Sequence, residues 1–183
     1  GQSFVDAKLF VISFNELDIT QSIIVGSLDL PSSVARGIDA QNNKAVLAMG
    51  SEGIGIIDTY LHTKLYMVDQ FIPVAGKNVL DVEQYMTEAI QPVRYVAVGG
   101  EFDYFNNKLL EQESVGSGGF YVVEQDQLNG MQLISSLDIP ASRVTLDDHY
   151  AYLAAGDAGL VIVDISDPQQ PVIVSRFSDI GHV

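Results

Sequence analysis

The feature that most restricts the fold of this chain is a short apolar sequence that recurs along it. It reads LFVISF at residues 9–14, IGIIDT at 54–59, FYVVEQ at 120–125 and LVIVDI at 160–165. Ser13, Asp58, Glu124 and Asp164 occupy equivalent positions, at separations of 45, 66 and 40 residues. The copies are short and rich in Val, Ile and Tyr, which favours strands over helices. The chain is therefore predicted to consist of copies of one β-rich module.

Each copy is flanked by further strand-like runs. One run follows each copy, at residues 22–31, 64–73, 131–140 and 171–180. Two more runs precede three of the copies, at 35–41 and 45–50, at 78–84 and 94–100, and at 142–148 and 151–156. Four short strands in a unit of about 40–45 residues are typical of a β-propeller blade. The sequence predicts an all-β fold of four-stranded antiparallel blades.

The repeats divide a single domain at approximately residues 1–31, 32–73, 74–140 and 141–180. Three blades are complete, and a fourth is divided between the two ends of the sequence. We expect these blades to be part of a larger ring. Two alternatives are a four-blade ring closed by pairing of the terminal strands and a ring closed between two chains. An open propeller exposes two blade faces and two sheet edges, which predicts self-association through them.

Residues 152–177, YLAAGDAGLVIVDISDPQQPVIVSRF, carry the most complete copy of the pattern. This segment resembles the LVIVD repeat found in cell-surface proteins of bacteria and archaea. The likeness is weaker at residues 45–73 and weaker again at 94–140 and 4–31. The resemblance implies a β-propeller and a surface, secreted or periplasmic (extracytoplasmic) location. The resemblance does not by itself imply an enzymatic activity.

The charge and composition of the 183-residue chain exclude several classes of function. Nine Lys and Arg against 24 Asp and Glu give a net charge of −15, so no nucleic-acid partner is expected. The absence of Cys excludes a disulfide framework and a thiolate metal site, and it is compatible with export. No apolar run approaches the roughly 20 residues needed to span a bilayer, so no membrane span is expected.

One connection is much longer than its counterparts. Seven positions separate Gly50 from Ile57 and Gly156 from Val163, whereas 24 separate Gly99 from Val123. The extra residues, 100–116, form what we call the insertion, and long loops in compact domains are often functional. Its first residues alternate aromatic and acidic side chains, and they are the predicted contacts to a partner or ligand: Glu101, Phe102, Asp103, Tyr104 and Phe105. The alternative is a lid that packs on its own blade.

Three cations lie near the starts of the predicted inner strands. Arg36, Lys77 and Arg143 hold roughly corresponding places in an otherwise acidic chain. If they converge on the propeller axis, they could bind a carboxylate or phosphate group of a ligand. The alternative is that each pairs with a neighbouring carboxylate and only stabilises a strand.

Acidic residues in turns raise the question of a metal. Glu52 and Asp157 occupy equivalent glycine turns, and Asp147 and Asp148 lie in another turn. No EF-hand pattern is present, so no cofactor is expected, with Ca²⁺ as the alternative. Asp in such turns usually accepts hydrogen bonds from its own backbone. The repeat itself places Asp58, Glu124 and Asp164, which predicts a structural turn or a contact between blades for them.

No catalytic motif is recognisable in the chain. His62, His149 and His182 belong to no metalloprotease pattern, and there is no nucleophile elbow or phosphate-binding loop. The sequence predicts a non-enzymatic binding or scaffold domain whose partner is a protein, a small molecule or a glycan. The alternatives are a propeller hydrolase or lyase that uses carboxylates and a bound cation, and a purely structural spacer.

Overall fold

The computed structural model of the chain is an all-β protein. It describes residues 7–31, 35–73, 75–85, 93–100, 102–103, 108–109, 119–126 and 129–178. The strands are β1 (Lys8–Ser13), β2 (Ile23–Asp29), β3 (Ile38–Gln41), β4 (Lys44–Ala48), β5 (Ile54–Asp58), β6 (Tyr66–Phe71), β7 (Asn78–Tyr85), β8 (Val93–Gly100), β9 (Phe102–Asp103), β10 (Lys108–Leu109), β11 (Phe120–Asp126), β12 (Gly130–Leu137), β13 (Arg143–Asp147), β14 (Tyr150–Ala154), β15 (Leu160–Asp164) and β16 (Val172–Phe177). Two short 3₁₀ helices, Ile19–Gln21 and Gly156–Ala158, lie in turns.

The strands form propeller blades, which confirms the predicted fold class. The first blade has the strand order β3-β4-β5-β6, the second β7-β8-β11-β12 and the third β13-β14-β15-β16. Strands β1 and β2 form a two-stranded sheet, which we call the half-blade. All pairings between neighbouring strands are antiparallel. Each blade is therefore a four-stranded meander, as the repeat predicts.

Local sequence determines where the strands turn. Asn42 and Asn43 link β3 to β4 with φ angles of 53° and 60°. Two consecutive positive φ angles suit a two-residue hairpin turn, and Asn tolerates them better than most residues. A bulge between the third and fourth strands recurs at the same place in all three blades and in the half-blade. The register of the repeat is therefore preserved along the chain.

The core lies between the blades. In each blade, alternate side chains point toward the preceding blade (the rear face) and toward the following blade (the forward face). One cluster joins the half-blade to the first blade through Leu9, Val11, Leu47 and Ile57. Two more clusters join the first blade to the second and the second to the third. Since both faces of the first and second blades are covered by other blades, their central strands are apolar throughout.

Candidate functional site

The insertion connects β8 to β11, and these two strands remain paired with each other. In the first and third blades, Ala48 pairs with Ile54 and Ala154 pairs with Leu160, six positions further along the chain. In the second blade Val98 pairs with Phe120, 22 positions further along. The strand pairing is thus the same in all three blades, and the additional residues do not change the register of the sheet.

Two glycines hold the base of the insertion against the third blade. The backbone N–H of Gly99 donates to the carbonyl oxygen of Gly119 at 2.7 Å, and the carbonyl oxygen of Gly99 accepts from Ala141 N–H at 3.3 Å. A Cβ atom at Gly119 would lie 2.4 Å from the carbonyl oxygens of Gly99 and Ile139 and 2.5 Å from Cα of Pro140. No side chain fits there, so the base of the insertion is tightly packed.

The predicted contact residues of the insertion fall partly within the described residues. Phe102 and Asp103 form β9, which pairs with β10 in a short antiparallel hairpin, Asp103 opposite Lys108 and Phe102 opposite Leu109. Glu101, Tyr104 and Phe105 lie outside the described residues. Their part in contacting a ligand stays a prediction.

The three cations occupy different positions relative to the inner strands. The backbone N–H groups of Arg36 and Ser142 make the same hydrogen bond, to Ala48 and Ala154 respectively, so Arg36 corresponds to Ser142 and not to Arg143. Lys77 is half-buried and immediately precedes β7. Arg143 is exposed at the start of β13, and its Nη1 donates to the carbonyl oxygen of Ser142 at 3.3 Å. The positive charge of Arg143 acts on Asp81 of the preceding blade, which favours the structural interpretation for this residue.

Carboxylates that the sequence analysis did not single out connect the inner strands of successive blades. Oδ2 of Asp39 in β3 accepts the backbone N–H of Gln84 in β7 at 2.9 Å. Oε2 of Glu83 in β7 accepts the backbone N–H of Leu146 in β13 at 3.0 Å. The strand registers place Asp39 and Glu83 at the same position of their blades, and likewise Gln84 and Leu146. One hydrogen bond is therefore repeated at two successive junctions.

Asp81 adds a further link between the second and third blades. Its Oδ2 accepts the backbone N–H of Val144 at 3.0 Å. On its other side, Asp81 packs against Gly37 of the first blade, where a Cβ atom would lie 2.7 Å from Cα of Asp81. The alternation of acidic and apolar residues in VLDVEQ at 79–84 was the available sequence signal. It could not be interpreted without knowing which strands lie side by side.

Burial dominates the electrostatics of these inner-strand carboxylates. It raises the pKa of Asp81, an effect that the Val144 hydrogen bond and the charge of Arg143 oppose. It also raises the pKa of Glu83, where the hydrogen bond from Leu146 opposes the shift and the nearby charge of Asp39 adds to it. Both carboxylates are used to satisfy strand-edge N–H groups that would otherwise lack partners.

The equivalent acidic positions of the repeat have local roles. Asp58 accepts the backbone N–H of Tyr60 at 2.9 Å, and Asp164 accepts that of Ser166 at 2.8 Å, so both stabilise the turn after the third strand. Hydrogen bonds from the hydroxyl and the backbone of Ser166 lower the pKa of Asp164. Glu124 instead forms an ion pair with Arg94 on the adjacent strand, with an Nε–Oε2 distance of 3.0 Å.

The acidic turn residues are not brought together. Within the described ranges, which include Asp147, Asp148 and Asp157, no three His, Asp or Glu side chains are grouped so that they could hold a metal ion. Glu52 lies beside β6, where its carbonyl oxygen accepts from Nε2 of Gln70 at 3.0 Å. Among the same described residues, no helix has the length and apolar character required to cross a bilayer.

The blades and their junctions define the class of this protein: an all-β repeat protein of the propeller type. The profile of the LVIVD repeat matches residues 140–179, which contain β13 to β16, so the third blade is similar to an LVIVD repeat. This confirms the family resemblance for that blade.

Among solved structures, the chain is similar to the crystal structure of a functionally unknown protein from Desulfotomaculum acetoxidans DSM 771. The identity is 12% and the TM-score 0.46, over 96% of this chain and 64% of that one. This chain thus spans less than two thirds of that protein. No curated protein matches the chain at a significant level.

Proposed function

We propose that this chain is a non-enzymatic binding or scaffold domain located outside the cytoplasm, in which the stacked blades present the insertion to a protein or glycan partner. The observation that carries the proposal is the unchanged strand pairing at the base of the insertion. Val98 and Phe120 pair as their equivalents do, although 16 more positions separate them. A loop held at both ends by a rigid sheet can present side chains in a defined orientation.

The roles of the acidic residues support a structural frame rather than a catalytic centre. Asp39, Asp81 and Glu83 each accept a backbone N–H group of the next blade. Asp58 and Asp164 each accept a backbone N–H group of a turn. These carboxylates are therefore engaged in maintaining the blades and the junctions between them.

The proposed location rests on two features of the sequence. The LVIVD repeat is similar to repeats of cell-surface proteins, and one blade matches the repeat profile. A chain without Cys also folds in an oxidising compartment without mispaired disulfides. Protease treatment of intact source cells tests the location: an extracytoplasmic domain is cleaved, and a protected one contradicts the proposal.

A deletion designed on the repeat tests the role of the insertion. Removing residues 100–115 joins Gly99 to Gly116 and leaves the turn GSGG, which matches GSEG at 50–53 and GDAG at 156–159. The deletion also restores the six-position spacing of the other blades. We expect the deletion variant to keep its far-UV circular dichroism spectrum and its urea midpoint, because the strand pairing does not depend on the insertion.

Binding is measured for both proteins on arrays of purified polysaccharides and purified extracellular proteins. The proposal requires that the full chain bind at least one component and that the deletion variant fail to bind it. If the deletion variant still bound that component, the binding site would lie outside the insertion. A variant that unfolds would assign the insertion to structure, and a full chain that binds nothing would leave only the spacer interpretation.

A further inference from the structure

Neighbouring blades in this chain join through the forward face of one blade and the rear face of the next. The half-blade at one end of the stack exposes a rear face, and the third blade at the other end exposes a forward face. At the junction between the second and third blades, the third blade contributes Val161, Val163 and Ile165 on its rear face, and all three are fully buried. The second blade contributes its forward face, whose members from β8, β11 and β12 are Val96, Val98, Phe120, Val122, Ile134 and Leu137.

The rear face of the half-blade corresponds to the rear half of this interface. Among the described residues, no blade packs against it. The pairing of β1 with β2 places Phe10, Ile12 and Phe14 at the positions of Val161, Val163 and Ile165. Phe10 is 48%, Ile12 46% and Phe14 66% exposed, and Ile24 beside them on β2 is 61% exposed. The opposite side chains of β1, Leu9 and Val11, pack on the first blade. Within the part of the chain that the structure describes, the half-blade is therefore covered on one face only.

The third blade presents the forward half. The register makes Tyr152, Leu160 and Ile162 equivalent to Val96, Phe120 and Val122 of the second blade. Val174 and Phe177 are likewise equivalent to Ile134 and Leu137, and they are 51% and 48% exposed. The forward-face positions of the second, third and fourth strands are thus apolar or aromatic in both blades, whereas on the inner strand Tyr85 of the second blade corresponds to Asp147 of the third. The two end faces thus repeat the apolar part of an interface that already occurs within the same chain, while the junction carboxylates Asp81 and Glu83 correspond to Arg143 and Thr145 in the third blade.

We propose that the rear face of the half-blade binds the forward face of the third blade of a second copy of this chain. The contact is head to tail, because the two faces are different surfaces that complement each other. Neighbouring exposed apolar side chains, here Phe10, Ile12, Phe14 and Ile24 on the half-blade, are typical of an interaction surface. This inference is independent of the proposed function, since it rests on residues of the half-blade and the third blade, whereas the insertion belongs to the second blade.

The association is tested by sedimentation velocity of the 183-residue chain, at concentrations up to about 100 µM, so that even a weak interaction is populated. The solution contains about 0.15 M salt, which screens the repulsion between two acidic copies. We expect the mean mass to rise with concentration. A chain that stays monomeric over the whole range would overturn the proposal.

Two variants each disable one face. Ile12→Lys places a charge on the rear face, and Val174→Lys places one on the forward face; both side chains are about half exposed, so the fold should tolerate the change. Gln170→Lys, at an exposed turn position, controls for the added charge. Circular dichroism and the urea midpoint confirm that each variant is folded. We expect each of the first two variants to be monomeric and Gln170→Lys to associate as the unchanged chain does.

Mixing the first two variants distinguishes a head-to-tail contact from a contact between like faces. Ile12→Lys retains a functional forward face and Val174→Lys retains a functional rear face, so a one-to-one mixture is expected to form a heterodimer. If either variant self-associates alone, the contact joins like faces and the head-to-tail proposal is wrong. A mixture that remains monomeric also overturns it.

Discussion

Asp81 in the inner strand of the second blade accepts a hydrogen bond at 3.0 Å from the backbone N–H of Val144, which lies 63 residues later in the inner strand of the third blade. Glu83 makes the same kind of bond to Leu146 two residues further along each strand. Strand edges that do not pair with each other are thus joined by side chains. This arrangement satisfies edge N–H groups while keeping the two sheets separate.

Replacing Asp81 with Ala should destabilise the chain by about 1–3 kcal/mol, because the half-buried N–H of Val144 loses its acceptor. Asp81→Asn is the matched control, since an amide oxygen can still accept this hydrogen bond. The free energy of unfolding in urea measures both effects. Equal stability of the Ala variant and the unchanged chain would mean that water replaces the carboxylate.

The inner-strand carboxylates should also make stability depend on pH. Folding raises the pKa of Asp81 above 3.8 and that of Glu83 above 4.5, mainly through burial. Folding therefore favours their protonated forms. The resulting stabilisation is complete below the unfolded-state pKa and is lost as pH rises through the folded-state pKa.

The double variant Asp81→Asn, Glu83→Gln carries neither of these two titratable carboxyl groups. Its free energy of unfolding should rise relative to that of the unchanged chain as pH increases from about 4 to about 7, where the buried charges develop. Urea titrations at several pH values give this difference. A difference that is constant, or that changes in the opposite direction, would show that burial does not control these two groups.

Gly119 at the base of the insertion should not tolerate a methyl group. The three atoms nearest a Cβ at this position are all backbone atoms, at 2.4, 2.4 and 2.5 Å, so relief requires movement of the backbone at Gly99 in β8 and at Ile139 and Pro140 in the connection after β12. Gly119→Ala is expected to cost about 3 kcal/mol or more. Gly156→Ala is the control, because nothing lies within 4 Å and only its φ of +59° opposes the change, at about 1 kcal/mol. Similar losses in the two variants would contradict the tight packing at Gly119.

Substitutions at equivalent positions of the repeat should change the free energy of unfolding by different amounts when the side chains differ in burial. Ile57 and Ile12 occupy the same register position, but Ile57 is fully buried whereas Ile12 is 46% exposed. Ile57→Ala should cost about 2–5 kcal/mol and Ile12→Ala less than about 1 kcal/mol, measured by urea unfolding of the monomer. A large cost at Ile12 under these conditions would show that the half-blade is stabilised by contacts on both faces.

Much of the fold was predictable from the sequence, because the repeat specifies its own secondary structure. The copies of LVIVDI, the glycine turns and the strand-like runs that flank each copy define the strands and their antiparallel order. The spacing of Gly99 and Val123 also identified the insertion without knowledge of the fold. These signals are local, and local pattern is sufficient for strands that pair with their neighbours in sequence.

The candidate site was predictable only in part. The sequence drew attention to Arg36 and Arg143 as corresponding cations, but hydrogen bonding shows that they differ by one position. It gave no particular weight to Asp39, Asp81 and Glu83, although these residues connect the blades. Their roles depend on which inner strands lie side by side, and contacts between residues 45 or 63 positions apart leave no local pattern.

The sequence by itself determined the module: four strands, their turns and the sides on which apolar residues lie. Only the tertiary structure decided which faces are covered and which carboxylates join one blade to the next. The physical reason is that a blade buries its surface against other blades, not within itself. The same apolar position is therefore core at Ile57 and exposed at Ile12, and no property of either residue alone distinguishes the two.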